Sequence, residues 1–179
     1  PIMWPLLLSS VVAVAVVLER LLFLLSEQRK RSPKTLGKFF VEVGKGNLAA
    51  AIVLANKSKD AVVTTLGYAL EHRDQSLGHA LAYAETRAFK RYRRGIAILD
   101  TVITLAPLLG LLGTVTGMMA SFSVIGGDLS SPGAITGGIS EAPIATAFGL
   151  VIAICSLLPF NYLNNRIEGI ENEMLAAGE

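Results

Sequence analysis

GIAILDTVITLAPLLGLLGTVTGMMASFSV, residues 95–124, decides the fold. Between Asp100 and Asp128 it carries no Asp, Glu, His, Lys or Arg. As a helix rising ~1.5 Å per residue, such a stretch is long enough to cross a hydrocarbon core of ~30 Å. A second stretch of this kind follows at 138–163, uncharged between Glu141 and Arg166, and a third precedes both at 1–25. The expected architecture is an all-α membrane protein with three transmembrane helices and long cytoplasmic helical extensions. Its expected segments are a first membrane helix over 1–25, a cytoplasmic helical region over 26–94 and a second membrane helix over 95–124. A periplasmic link over 125–137, a third membrane helix over 138–163 and a cytoplasmic tail over 164–179 complete the order.

Composition agrees with the bilayer as solvent. Apolar residues make up 52% of the 179 and charged ones 17%, too few to cover a soluble domain of this size. A net charge of +2 gives no overall electrostatic case for nucleic acid. The single cysteine, Cys155, lies in an apolar run and reads as a small packing residue. His72 and His79 have no cysteine or acidic cluster spaced for a metal, so neither a metal nor a cofactor is expected. A conventional enzyme is not expected either, because no nucleophile–base pair or phosphate loop is legible. The apolar N-terminal stretch lacks a basic leading region and runs directly into Glu19-Arg20 and Arg29-Lys30-Arg31, so it reads as an anchor, with Glu19 and Arg20 snorkelling to the headgroups.

The basic residues set an expected orientation. Fourteen of the sixteen Lys and Arg lie between Leu25 and Gly95, the others being Arg20 and Arg166. The positive-inside rule then places the N-terminus and the second hairpin link in the periplasm, and the 26–94 region with the C-terminus in the cytoplasm. Within that region Asn47 and Asp60 read as helix N-caps, ahead of apolar positions such as Val62, Leu66, Ala69 and Leu70. From Gln75 to Pro107 no proline intervenes, which predicts a second membrane helix continuing from a cytoplasmic extension. RIEGIENEMLAA predicts the same for the third. The Gly/Ser/Pro-rich GGDLSSPGAITGG reads as a turn region.

One face of each of the last two membrane helices stands out. On the second, Thr104, Pro107, Gly110, Thr114, Gly117 and Ser121 recur at spacings of three and four. On the third, Ala142, Thr146, Gly149 and Ala153 make a matching stripe, with Ala145 and Ser156 beside it. Small and polar faces seat against protein or line a water path. Thr114 and Thr146 also match in depth if the helices are antiparallel neighbours. Each hydroxyl can bond its own i−4 carbonyl and merely pack, or it can hold water or a carboxyl group from another chain. Any protonatable carrier at mid-membrane must come from another chain.

APLLGLLGTVTGMMASF and GISEAPIATAFGLVIAICSLLPFNYL resemble the two signature helices of the MotA/TolQ/ExbB proton-channel family, closest to its ExbB and TolQ branch. SSVVAVAVVLERLLFL and the basic stretch ahead of LDTVITLAPLLG fit the same branch, while Thr116 stands where the family frequently has an aromatic. The resemblance implies a pentameric homo-oligomer around single-span partners of the ExbD or TolR kind, passing protons to energise envelope processes such as outer-membrane transport. It also implies a TonB/TolA-like protein as a further partner. In such a complex the partner's transmembrane aspartate would sit against Thr114 and Thr146, and Glu141 falls on the glutamate that opens the family's third helix. A non-conducting scaffold that packages a partner is the alternative.

Other charged residues carry two readings each. Glu141 is either a first-turn carboxylate favoured by the helix dipole or a proton-entry or subunit-contact residue. Asp100 is either an ordinary interfacial charge or a group at proton exit. Arg87, Lys90, Arg91, Arg93 and Arg94 bind anionic lipid headgroups or another subunit, or form a solvated face. Pro143 and Pro159 read as a tolerated first-turn proline and a kink.

Overall fold

The computed structural model describes residues 2–74, 76–125 and 132–178, the side chains of 123–125 and 132–141 lying outside that description. Among the described residues there are seven helices and no strand: α1 (Met3–Lys30), α2 (Pro33–Gly44), α3 (Leu48–Lys57), α4 (Ala61–Glu71), α5 (Leu77–Arg93), α6 (Ile96–Ile125) and α7 (Pro132–Gly178). Three stretches are long and apolar enough to cross a membrane, Met3–Lys30, Ile96–Phe122 and Ala142–Gly178. The chain divides into two compact units, Pro1–Glu19 with Gly95–Tyr162, and Arg20–Arg94 with Leu163–Glu179.

The expected unbroken second helix is interrupted. Gly95 adopts φ +82°, a left-handed conformation that glycine takes without a Cβ penalty, so α5 stops at Arg93 and α6 starts afresh at Ile96. α7 runs on through RIEGIENEMLAA to Gly178 as its composition predicts. It also begins at Pro132, inside the stretch read as a turn; proline suits a helix start because its missing N–H would find no intrahelical partner there.

In the first unit α6 and α7 pack along small residues. Ala106, Gly110 and Gly113 on α6 and Ala142, Gly149 and Ala153 on α7 are buried. The first part of α1 buries Leu6, Ser9 and Ala13, spaced three and four apart on one face, and the Ser9 hydroxyl donates to the Leu6 carbonyl at 2.7 Å. The remaining directions of all three helices expose large apolar side chains, among them Trp4, Leu8, Leu108, Met119, Ile154 and Leu158. In water each would be a liability, whereas against lipid or other chains they need no cover.

The second unit is built from α2 to α5 with the ends of α1 and α7. Its core holds Phe39, Val62, Val63, Leu66, Tyr92, Leu163, Ile167 and Met174, where a fully buried side chain of this type is favoured by ~1.5–3 kcal/mol over an exposed one. α3 and α4 approach closely at Gly67, where a Cβ would lie 2.2 Å from that of Ala55. Asn47 and Asp60 are the N-caps expected, accepting from the Ala50 and Val62 amides. Asp60 is also 2% exposed and accepts from the Ser32 amide at 2.7 Å, with the Arg31 guanidinium 3.8 Å away. One carboxylate thus ties the start of α4 to the start of α2.

Arg20 does not snorkel. It is 5% exposed, donates to the Arg91 carbonyl at 3.3 Å and lies over the Phe23 ring. Arg91 stacks on the same ring and pairs with the buried Glu27 at 3.0 Å, while Tyr92 meets Phe23 edge-on. Burial, with the Glu27 charge second, pushes the Tyr92 phenol up to about 12. Arg93 forms two hydrogen bonds to Glu171 at 2.7 and 2.6 Å, which hold its guanidinium protonated above the usual arginine value. Two of the five arginines and lysines in the 87–94 run are therefore engaged within the chain; Arg87, Lys90 and Arg94 are exposed.

Candidate functional site: the threonine flank of the α6–α7 pair

The seam between α6 and α7 is antiparallel and very close. A Cβ on Gly149 would lie 2.4 Å from the Ala106 carbonyl oxygen, and one on Gly110 would lie 2.9 Å from both the Ala145 oxygen and the Thr146 Cα. Further along, Gly113 faces the Ala145 methyl and Gly117 the Ala142 methyl, at 2.6 and 3.0 Å on the same measure. Only hydrogen fits at Gly110 and Gly149, because the neighbouring atoms are backbone and cannot rotate away.

Thr146 crosses this seam. Its hydroxyl donates to the Gly110 carbonyl of the facing helix at 2.9 Å. Gly110 lies about one turn, ~6 Å, before Thr114 along α6, so the Thr146 hydroxyl meets α6 a turn away from the Thr114 backbone. Thr114, half-buried, donates instead to the Leu111 carbonyl of its own helix at 2.7 Å. Thr104 is exposed and donates to the Asp100 and Thr101 carbonyls, and Ser121 is buried and donates to that of Gly117.

The stripe read from spacing separates into two faces. From Thr104 to Ser121 the spacings average less than the 3.6 residues of a turn, so the stripe drifts around α6 by about a quarter turn. Gly110 and Gly117 belong to the seam, joined there by Ala106 and Gly113, which the spacing of three and four from Thr104 does not include. Asp100, Thr104, Pro107 and Thr114 fall on the adjoining flank, where Asp100 and Thr104 are exposed and Pro107 and Thr114 half-buried. Thr146 borders the same flank from α7. The signal for the missing residues was the small-residue repeat 106, 110, 113, 117, the spacing that lets helix backbones approach.

α1 occupies the opposite flank. Ile2 approaches Gly113, and Ser10, Ala13 and Val17 share a cleft of about 170 Å³ with Ile152, Ser156 and Pro159. Within this unit the threonine side is thus the one α1 leaves open. Glu141 begins the uncharged part of α7, and its side chain lies outside the described residues. Among the described residues no group of three or more His, Cys, Asp or Glu could hold a metal.

Comparison with known proteins gives the same helices a family. The MotA/TolQ/ExbB proton channel family matches residues 49–176. Two cyanobacterial relatives from Synechocystis sp., named putative biopolymer transport proteins ExbB-like 1 and ExbB-like 3, are 49% identical over 88 residues and 34% identical over 172. These matches cover 47% and 86% of the chain, and 35% and 76% of the relatives. The Tol-Pal system protein TolQ of Haemophilus influenzae is 35% identical over 95 residues, 52% of the chain and 42% of that relative. The chain thus spans less than half the length of two of these three proteins. With three apolar helices, a glycine seam and a family match over most of its length, the chain belongs to the MotA/TolQ/ExbB proton channel family, on its ExbB/TolQ branch, as a multi-pass inner-membrane protein.

Proposed function

We propose that the chain is the channel-wall subunit of a proton-motive-force-driven motor of ExbB/TolQ type, working with a single-span ExbD/TolR-like partner to energise envelope processes such as outer-membrane transport. The observation that carries this reading is the open flank bearing Thr114 and Thr146, which has hydroxyls but no Asp, Glu, His, Lys or Arg of its own between Asp100 and Asp128 or between Glu141 and Arg166. A carrier carboxyl then belongs to the partner. The names of the relatives, biopolymer transport and the Tol-Pal system, support the envelope setting.

The hydroxyl geometry favours one protonation state of that carboxyl. A threonine hydroxyl has one proton to donate and two lone pairs to accept with. Thr146 gives its proton to Gly110 and Thr114 gives its own to Leu111, so both oxygens are left as acceptors. A protonated carboxyl can donate to them, whereas an ionised one cannot. The flank would therefore hold the partner's aspartate in its neutral form as it passes mid-membrane. Each proton delivered across the membrane would release ~2.3 kcal/mol per 100 mV of potential. In this scheme Glu141 serves proton entry and Asp100 proton exit, with copies of the chain closing a ring, a pentamer by family resemblance, around the partner.

Co-expression with the single-span protein encoded beside it tests the assignment. The expected result is a co-purified complex whose native mass contains several copies of this chain per partner; a chain found only as a monomer, with no partner retained, would overturn the motor. Orientation rests on the basic residues and is tested separately. In a Cys155→Ser background, a membrane-impermeant maleimide should label Ser131→Cys from the periplasm and Lys59→Cys only after the membrane is opened. The reverse pattern would invert the proposed topology.

A further inference from the structure

Four cations of the second unit, Arg29, Lys38, Lys57 and Lys59, are exposed on one groove of about 640 Å³. They come from the last turn of α1, from α2, and from the end of α3 with the residues after it. None of the four forms an ion pair among the described residues. Lys30, a fifth cation on the groove, pairs with Glu27 at 3.4 Å. No carboxylate lines the groove; the nearby Asp60 is buried and already accepts from the Ser32 and Val62 amides. Ser32 and Thr35 add hydroxyls, hydrogen-bonded to each other at 2.8 Å.

Like charges drawn together without an acid between them repel, and a multiply charged anion removes that cost while gaining several charge-assisted hydrogen bonds. The contrast with the 87–94 run is informative. There Arg91 and Arg93 are matched to Glu27 and Glu171, whereas here the cations are unmatched. The geometry points to a binding site for a phosphate-bearing anion in the groove of Arg29, Lys38, Lys57 and Lys59. Because α1 ends there and is long and apolar enough to cross a bilayer, one source of the phosphate is an anionic phospholipid headgroup; dissolved phosphate is the other. The site is independent of the channel reading and stands or falls on its own measurement.

The test uses the purified full chain in neutral detergent at fixed ionic strength. Binding of short-chain phosphatidylglycerol is compared with that of short-chain phosphatidylcholine, and pyrophosphate is added as competitor. The groove variant Lys38→Gln/Lys57→Gln should weaken phosphatidylglycerol binding by about tenfold, while Lys45→Gln/Arg73→Gln, which removes the same charge from exposed positions of the same unit outside the groove, should change it by less than about twofold. The single Lys59→Gln variant, altered between helices, should show the same effect at smaller amplitude with an unchanged helical spectrum. Displacement by pyrophosphate identifies the phosphate group as sufficient; no displacement identifies the lipid headgroup as the source. Equal weakening by both double variants, or equal binding of the two lipids, would overturn the site.

Discussion

Gly149→Ala is expected to disrupt the α6–α7 pair and to lower the stability of the detergent-solubilised protein by at least ~1–3 kcal/mol, the usual cost of overpacking a close contact. The added methyl would sit 2.4 Å from the Ala106 carbonyl oxygen and 3.3 Å from the Gly110 Cα, so the helices must separate rather than a side chain rotate. Separation also pulls Thr146 from the Gly110 carbonyl. Gly149→Val should be worse, because β-branching adds bulk in the same direction. Gly169→Ala is the control: it lies in the same helix, a methyl added there would meet nothing within 4 Å, and alanine should stabilise by ~0.5–1 kcal/mol. Denaturant titration followed by circular dichroism measures both. A Gly149→Ala protein as stable as its parent would refute the close seam.

Thr146→Val should abolish or severely reduce partner-dependent work, while Thr146→Ser retains most of it. Valine keeps the shape and deletes the hydroxyl; serine does the reverse with one methyl. The deleted hydroxyl has two duties here. It ties α7 to the Gly110 carbonyl, an interhelical bond of a kind that contributes ~0.6–2 kcal/mol in membranes, and its lone pairs are the proposed acceptors for the partner carboxyl. Leaving that carboxyl short of a bond costs ~1–3 kcal/mol, and every 1.4 kcal/mol is about tenfold in occupancy. Thr114→Val should show the functional loss with less effect on stability, since its hydroxyl bonds only within α6. Assembly of the complex is measured in parallel. Valine variants that assemble and work like the parent, or serine variants that fail while valine ones work, would sink the hydrogen-bonding role and leave packing, or a non-conducting scaffold, in its place.

Residue types and their local spacing determined the helices by themselves. Three long apolar stretches, with charges only toward their ends, can satisfy their backbone hydrogen bonds in lipid only as helices or closed barrels, and their length and composition select helices. Asn47 and Asp60 cap where they do because a short side-chain acceptor ahead of a helix former acts on amides two or three residues away. The extension of α7 to Gly178 is likewise local, and the motifs around Thr114 and Thr146 were sufficient to place the chain in its family.

What tertiary structure decided is everything that depends on which element lies opposite. A spacing of three and four assigns residues to one side of their own helix, but it drifts, and only the neighbour separates the seam of Ala106, Gly110, Gly113 and Gly117 from the flank of Thr104, Pro107 and Thr114. The Thr146 hydroxyl reads along the sequence as an i−4 bond or a contact to water or another chain's carboxyl; it donates to Gly110, thirty-six residues away, because two glycines bring the backbones close enough. Gly95 could have continued a helix, and the chain turns there instead through a conformation open to glycine. Arg20 reads as a headgroup contact in one dimension and is buried against Phe23 and Arg91 in three. The phosphate groove joins cations from residues 29 to 59 that no local pattern groups together, since side chains separated by helices meet only when those helices pack.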